Sequence, residues 1–491
     1  MKKIISSILA LLMLLSVLAS CSSTAKGETE TIATQEGEIS TADIVGFEAS
    51  DHGGRTFNIL VSNTDEEEHL TEDGYNTQVV NDAIFTRNLK VEEYFGIDIE
   101  VISKPGDWFN MASFNQEITR MVMAGADDYD MVVGVTGVIP ASFSTDYYLD
   151  VSDMEYIDLE KEWWVKGQYD ELQINGKLLG VYGDLNLTLY SEIHAIMFNT
   201  QVLDNNHLES PYDLVNTDKW TIEKMLTLAA EAGGEIDGKI GVDPESDIMG
   251  MIGTVNPDRA FMTAFDLDLI ERNNDGSLSM SSTPSEKFIN AYKTLCGAFY
   301  GSAYNYLLQV TSDDYSVALN AMAENRVLFL PSYVKWISDP IIRNMEGDYG
   351  IVPYPKLDDD QESYRSQVAT GATCACFPKT IGDAELSAQV ATYMSYLGYD
   401  TVIKEYYDEY LGQRLSKSPE MLEMLGLIRE TSIISLSTAY ASAFAQPILE
   451  LFEVSYRIHY GYAGQQELTS MYARRYTTYK KELSTLVSNY Q

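Results

Sequence analysis

Residues 87–134 read RNLKVEEYFGIDIEVISKPGDWFNMASFNQEITRMVMAGADDYDMVVG, and their changing periodicity decides the fold class. Apolar residues at helical spacing, Val80, Ile84, Val91 and Tyr94, predict a helix starting near Asn76. Gly96 ends it, because glycine accepts the left-handed backbone that closes a last turn. Ile97–Ile102 then alternates apolar and polar, the period of a strand. Met111, Phe114, Ile118, Met121 and Val122 line one face of a second helix, stopped by Gly125, and Met131–Val133 is a short apolar strand. Upstream, TFNILVS (56–62) supplies a strand ahead of the first helix. Strand–helix–strand–helix–strand with short connections implies an α/β protein, its parallel sheet covered by helices.

Downstream the signals are more mixed. Asn175-Gly176 between LQI and KLLGVY is the two-residue turn of a hairpin. EIHAIMFN (192–199) reads as a strand, and Thr221 caps a helix whose apolar side is Met225, Leu226, Leu228 and Ala229. Asn273-Asn274-Asp275-Gly276 is a turn without the acidic Glu of a calcium-binding loop. Arg326–Leu330 and Tyr349–Val352 read as strands, and the last hundred or so residues as mostly helical.

At the other end, Lys2 and Lys3 precede an apolar run, Ile4–Leu18, too short for an ordinary spanning helix but right for a secretory signal. Leu18-Ala19-Ser20-Cys21 matches the bacterial lipobox, which makes residues 1–20 a signal peptide and Cys21 the lipidated residue. Residues 22 to about 51 have few large apolar side chains and no period, so residues 21–54 read as a lipidated Cys with a flexible tether. No later apolar run reaches the length of a membrane span. The formal net charge of −41 disfavours nucleic acid and anionic headgroups as partners. Cys374 and Cys376 would share one face of a strand, where a bond across one residue is strained, so they read as small buried residues. No Cys or His pair has metal-ligand spacing, and no metal or cofactor is expected. No G-x-S-x-G, H-E-x-x-H, P-loop or G-x-G-x-x-G occurs, and nothing among the 74 acidic residues singles out a carboxylate pair; the expectation is a protein that is not an enzyme.

The order of several stretches resembles the family 1 extracellular solute-binding proteins, the group that includes maltose-binding protein. They are RNLKVEEYFGIDIEV (87–101), MVMAGADDYDMVVG (121–134), LEKEWWVKGQYDELQINGKLLGVYGD (159–184), AIMFNTQVLD (195–204), DKWTIEKML (218–226), ENRVLFLP (324–331) and YGIVPYPK (349–356). The resemblance implies a two-lobed periplasmic-binding-protein type II fold with three hinge crossovers and a helical C-terminal region. It places the first crossing after the INGK hairpin, the second at ENRVLFLP and the third at SYRSQVATGATCAC (363–376). Lobe one is then 55–188 plus 331–372, and lobe two 189–330 plus 373–491.

The implied function is capture of a carbohydrate, an oligosaccharide above all, by hinge closure, and delivery to the transmembrane permease subunits of an ABC importer. The protein would act as a monomer, lipid-anchored at the outer face of the cell membrane. The alternatives keep the fold with a peptide or other polar nutrient, or make the chain a cell-surface glycan hydrolase or adhesin. Sugar sites pair aromatic faces with carboxylates, amides and hydroxyls. By position, Asn63, Thr64 and Asp65 resemble the family's first polar ligand loop, Asp107 and Trp108 follow the second strand and Thr136 the third. Glu192 occupies the position where related sugar binders carry an acidic contact. Ser332, Tyr333 and Trp336 follow the expected second crossing; Ser332 replaces the family's stacking aromatic, leaving that part to Tyr333 or Trp336. Trp163, Trp164 and Trp220 read as packing residues.

Overall fold

The computed structural model describes residues 40–62, 69, 79–106, 110–165, 169–234, 243–253, 257–300, 302–308, 315–444 and 468–491. The chain divides into two compact units, Met1–Ile44 and Val45–Gln491. In the first, Ser40 and Asp43 cap one helical turn reciprocally: Asp43 N donates to Ser40 Oγ at 3.1 Å, and Ser40 N to Asp43 Oδ2 at 3.2 Å.

The second unit carries two main sheets. Strands β1 (Arg55–Ser62), β2 (Ile97–Lys104) and β3 (Met131–Val135) are the three expected from the opening alternation. β1 lies parallel between the other two, with Arg55 beside Ile97 and Ile59 beside Met131. The helix Val79–Phe95 buries Val80, Ile84 and Val91, and Gly96 (φ 57°) follows it. Met111–Ala124 buries Phe114, Ile118 and Met121; Gly125 (φ 64°) donates to the Met121 and Val122 carbonyls, satisfying the exposed end. The Asn175-Gly176 hairpin holds positive φ at both residues, 53° and 73°, as its turn type demands.

The other sheet gathers β4 (His194–Asn199), β5 (Met249–Gly253), β8 (Asn305–Leu307), β9 (Val327–Tyr333) and β10 (Tyr349–Val352) in the order β10-β4-β9-β5-β8. Between β5 and β8, the short pair β6 (Glu271–Arg272) and β7 (Leu278–Ser279) closes around the expected turn. Thr221 accepts from Lys224 N at 3.4 Å and starts the helix Ile222–Ala232, which packs on β5. Both sheets are apolar inside: β3, β4, β5, β9 and β10 are buried along their whole length.

Here the pairing corrects the expected lobe boundaries. ENRVLFLP does not leave its sheet: β9 runs antiparallel to β4, and the chain returns as β10 on the far side of β4. Pro331 reads as an exit because proline cannot donate. It lies opposite Ile196, beyond the last β9 residue paired with β5, Phe329, so the position has one neighbour strand instead of two. The passage between sheets instead follows β10. Short β11 (Ser366–Gln367) leads into β12 (Thr373–Cys376), which is antiparallel to β3, with Thr373 beside Val135. The four-stranded order is β12-β3-β1-β2, so 349–352 pairs with the second sheet and 373–376 with the first, the reverse of the expectation.

The C-terminal region is mostly helical where described. Ala384–Asp400 packs on Val79–Phe95, with Tyr393 stacked on Tyr94 at 4.3 Å. A π-helical stretch, Glu405–Leu415, follows, then Pro419–Glu430 against β10, strand β13 (Ser432–Ile433) and the long helix Leu468–Asn489. Cys374 and Cys376 are buried and unbridged. Among the described residues no helix is long and apolar enough to cross a membrane.

Candidate functional site

Three hinge segments run side by side. Ile193 bridges Val368, and Ser366 and Gln367 lie parallel to Ser432 and Ile433. Ala369 N donates to Glu192 O at 2.9 Å, and Val334 N to Ile193 O at 2.9 Å, so the turn after β9 joins the same cluster.

The end of β3 reaches this cluster from the other sheet. Thr136 N donates to Ala372 O at 2.7 Å, and Ser442 N to Gly137 O at 3.0 Å. Gly137 is required by close approach: a Cβ there would stand 3.2 Å from both Thr370 Cβ and Thr438 O. Around it gather buried polar atoms with no hydrogen-bond partner among the described residues: Thr136 Oγ1, Ser442 Oγ and Gln367 Oε1. The Gln367 amide nitrogen is engaged, donating to Thr438 Oγ1 at 2.5 Å, which leaves its oxygen as an acceptor. Burying such groups unpaired costs about 1–3 kcal/mol each, and in proteins they are usually satisfied by a partner or a ligand.

Glu192 and Lys335 form an ion pair at the cluster's edge, and Lys335 Nζ lies 5.5 Å over the Tyr333 ring. Tyr333 also packs on His194 at 4.5 Å and on Trp336 at 5.3 Å, with Tyr315 beyond at 4.8 Å. Carboxylate, ammonium, hydroxyls, an amide and a ring cluster can together bind a polyhydroxylated molecule with apolar faces.

Of the residues singled out from sequence, the structure gathers Thr136, Glu192, Tyr333 and Trp336 around the hinge. Ser332 points into the sheet, donating to Ala195 O at 3.0 Å, which is a packing role. Asn63, Thr64, Asp65, Asp107 and Trp108 lie outside the described residues. Sequence reasoning missed Lys335, Gln367 and Ser442. Lys335 stands between the candidates Tyr333 and Trp336, Gln367 lies within the stretch expected to carry the third crossing, and nothing in the sequence around Ser442 sets it apart. Trp163, Trp164 and Trp220 are buried, the packing positions expected. Among the described residues no three His, Cys, Asp or Glu side chains come together to hold a metal ion.

No protein-family model matches the sequence, and no curated protein matches it. Solved structures do. The sugar-binding protein MalE from Xanthomonas citri superposes with a TM-score of 0.58 at 14% identity, over 88% of this chain and 98% of that one. The galacto-N-biose-/lacto-N-biose I-binding protein of the ABC transporter from Bifidobacterium longum gives 0.56 at 10% identity, over 89% and 99%. Maltose-bound MalE3 of T. maritima gives 0.53 at 13%, over 88% and 100%. Likeness at such identities is one of fold. Two sheets, a hinge of adjacent segments and near-complete coverage agree: this chain has the two-lobed type II periplasmic-binding-protein fold of ABC-transporter solute-binding proteins.

Proposed function

We propose that this protein is the extracytoplasmic substrate-binding lipoprotein of an ABC importer, capturing a carbohydrate between its lobes. The observation that carries the reading is the set of buried, unpartnered oxygens of Thr136, Gln367 and Ser442 where both sheets meet the hinge. Sugar hydroxyls both donate and accept, so a saccharide would satisfy these groups together with the Glu192 carboxylate. Two of the structures with this fold hold maltose and lacto-N-biose, which supports the same ligand class here. In this reading lobe one holds the four-stranded sheet and lobe two the five-stranded sheet, and closure follows from tighter binding in the closed state. Thr136, Glu192, Tyr333 and Trp336 contact the ligand; so do the strand-end residues Asn63, Thr64, Asp65, Asp107 and Trp108. Cys21 carries the lipid, and the monomer delivers its cargo to permease subunits at the membrane's outer face without chemistry of its own.

The test is thermal denaturation of residues 22–491 against mono- and oligosaccharides. Ligand at about 100 times its dissociation constant adds roughly 2.7 kcal/mol of stability. A midpoint shift with one glycan class supports the reading. Shifts with peptides or other nutrients, and none with any saccharide, would overturn the ligand class.

A further inference from the structure

The hinge ribbon has two faces, and the candidate site uses one. Side chains alternate along β11, so Gln367 points to the Gly137 cluster while Val368 points to the opposite face, together with Ser432, which pairs with Ser366. On that opposite face Val368 and Ser432 help to line a cavity of about 770 Å³.

Arg429 enters it. The guanidinium lies over two rings, 4.9 Å from the Tyr407 centroid and 5.2 Å from that of Tyr190. It makes no hydrogen bond or ion pair to a described residue, although Glu162, Asp408 and Glu430 line the same cavity. Tyr407 and Trp164 line it as well; the Tyr407 hydroxyl and the Trp164 indole N–H are buried, with no hydrogen-bond partner among the described residues. The Tyr190 ring is fixed by its hydroxyl, which donates to the buried Asp184 carboxylate. A planar cationic fork lining a cavity is the chemistry that holds a carboxylate. Carboxylates elsewhere in the same cavity suit an ammonium, and the aromatic walls suit an apolar body between the two.

The geometry points to a second binding site on the back of the hinge, taking a zwitterionic small molecule of the aromatic amino-acid class, its carboxylate on Arg429 and its ammonium toward the acidic wall. This site is separate from the carbohydrate cleft and assigns the cavity a ligand of different chemistry. Because Tyr190 precedes the first hinge segment and Arg429 the third, an occupant there touches the elements that move in closure.

Calorimetric titration with three probes tests it: L-phenylalanine, its amide, which lacks the carboxylate, and 3-phenylpropionate, which lacks the ammonium. The expected result is binding of L-phenylalanine at least about tenfold tighter than either truncated probe. Arg429→Gln should abolish that preference over the amide, and Arg429→Lys should restore only part of it, since an ammonium cannot grip in bidentate fashion. The intact-protein comparison needs no variant, so a failure of Arg429→Gln to fold would not protect the idea. No heat with L-phenylalanine, equal binding of the three probes, or a full preference retained in Arg429→Gln would overturn it.

Discussion

The Glu192 carboxylate accepts a hydrogen bond from the Lys335 ammonium, tying the first hinge segment to the turn after β9. Lys335 is 44% exposed and Glu192 13%. A pair whose lysine is so open to solvent contributes under about 1 kcal/mol to folding; in the proposed function it holds a charged acceptor at the cleft edge. Glu192→Gln is therefore predicted to leave the thermal midpoint nearly unchanged. Calorimetric titration should show its affinity for the captured saccharide down by about tenfold or more, the weight of a charge-assisted hydrogen bond. Unchanged affinity would remove Glu192 from the site.

Thr136→Val replaces a buried hydroxyl that has no partner among the described residues by a methyl group of the same shape. Stability in urea should stay within about 1 kcal/mol of the parent or rise, because an unsatisfied group has been removed. Saccharide affinity should fall. Lowered stability with unchanged affinity would give Thr136 a structural role instead.

Asp184 is buried, and burial pushes its carboxyl up to about 7, against the pull of the Tyr190 hydroxyl and the Arg429 charge. The folded protein therefore holds a proton that the unfolded chain releases near pH 4. This contribution is fully present below that pH, declines as pH rises, and is lost above about 7. The span corresponds to roughly 4 kcal/mol. Asp184→Asn should flatten that part of the profile, so the parent-minus-variant stability difference falls between pH 4 and pH 7. A difference that is flat or rises over this range would contradict the assignment.

Gly250 lies on β5 where the helix Ile222–Ala232 comes closest, and a Cβ there would stand 2.1 Å from Ala229 O. A backbone atom cannot turn away, so Gly250→Ala must push the helix off the sheet, at a cost of roughly 3 kcal/mol. Gly297 in the helix Glu286–Tyr300 has nothing within 4 Å of such a Cβ, and Gly297→Ala should stabilise by up to about 1 kcal/mol. Urea unfolding of both variants checks the contrast; equal effects would refute the packing argument.

Sequence alone determined what depends on local chemistry. The alternation around Gly96 and Gly125, the two positive φ angles at Asn175-Gly176 and the cap at Thr221 are set by a few adjacent residues, and all four stand where the sequence places them. Tertiary structure decided which sheet receives a strand. YGIV and TCAC are both short apolar runs that could pair with either sheet; the first lies beside β4 and the second beside β3. That choice depends on partners some 150 and 240 residues away in sequence (Tyr349 with Asn199, Thr373 with Val135), which no local period encodes. The site divides in the same way. Thr136 was legible because it follows the end of a strand, where an α/β sheet opens to ligand, and Glu192 because it holds the position of an acidic contact in the family that the sequence resembles. Ser442 and Arg429 were not: only the packed hinge brings the first to Gly137 and sets the second over Tyr190 and Tyr407, on the ribbon's other face.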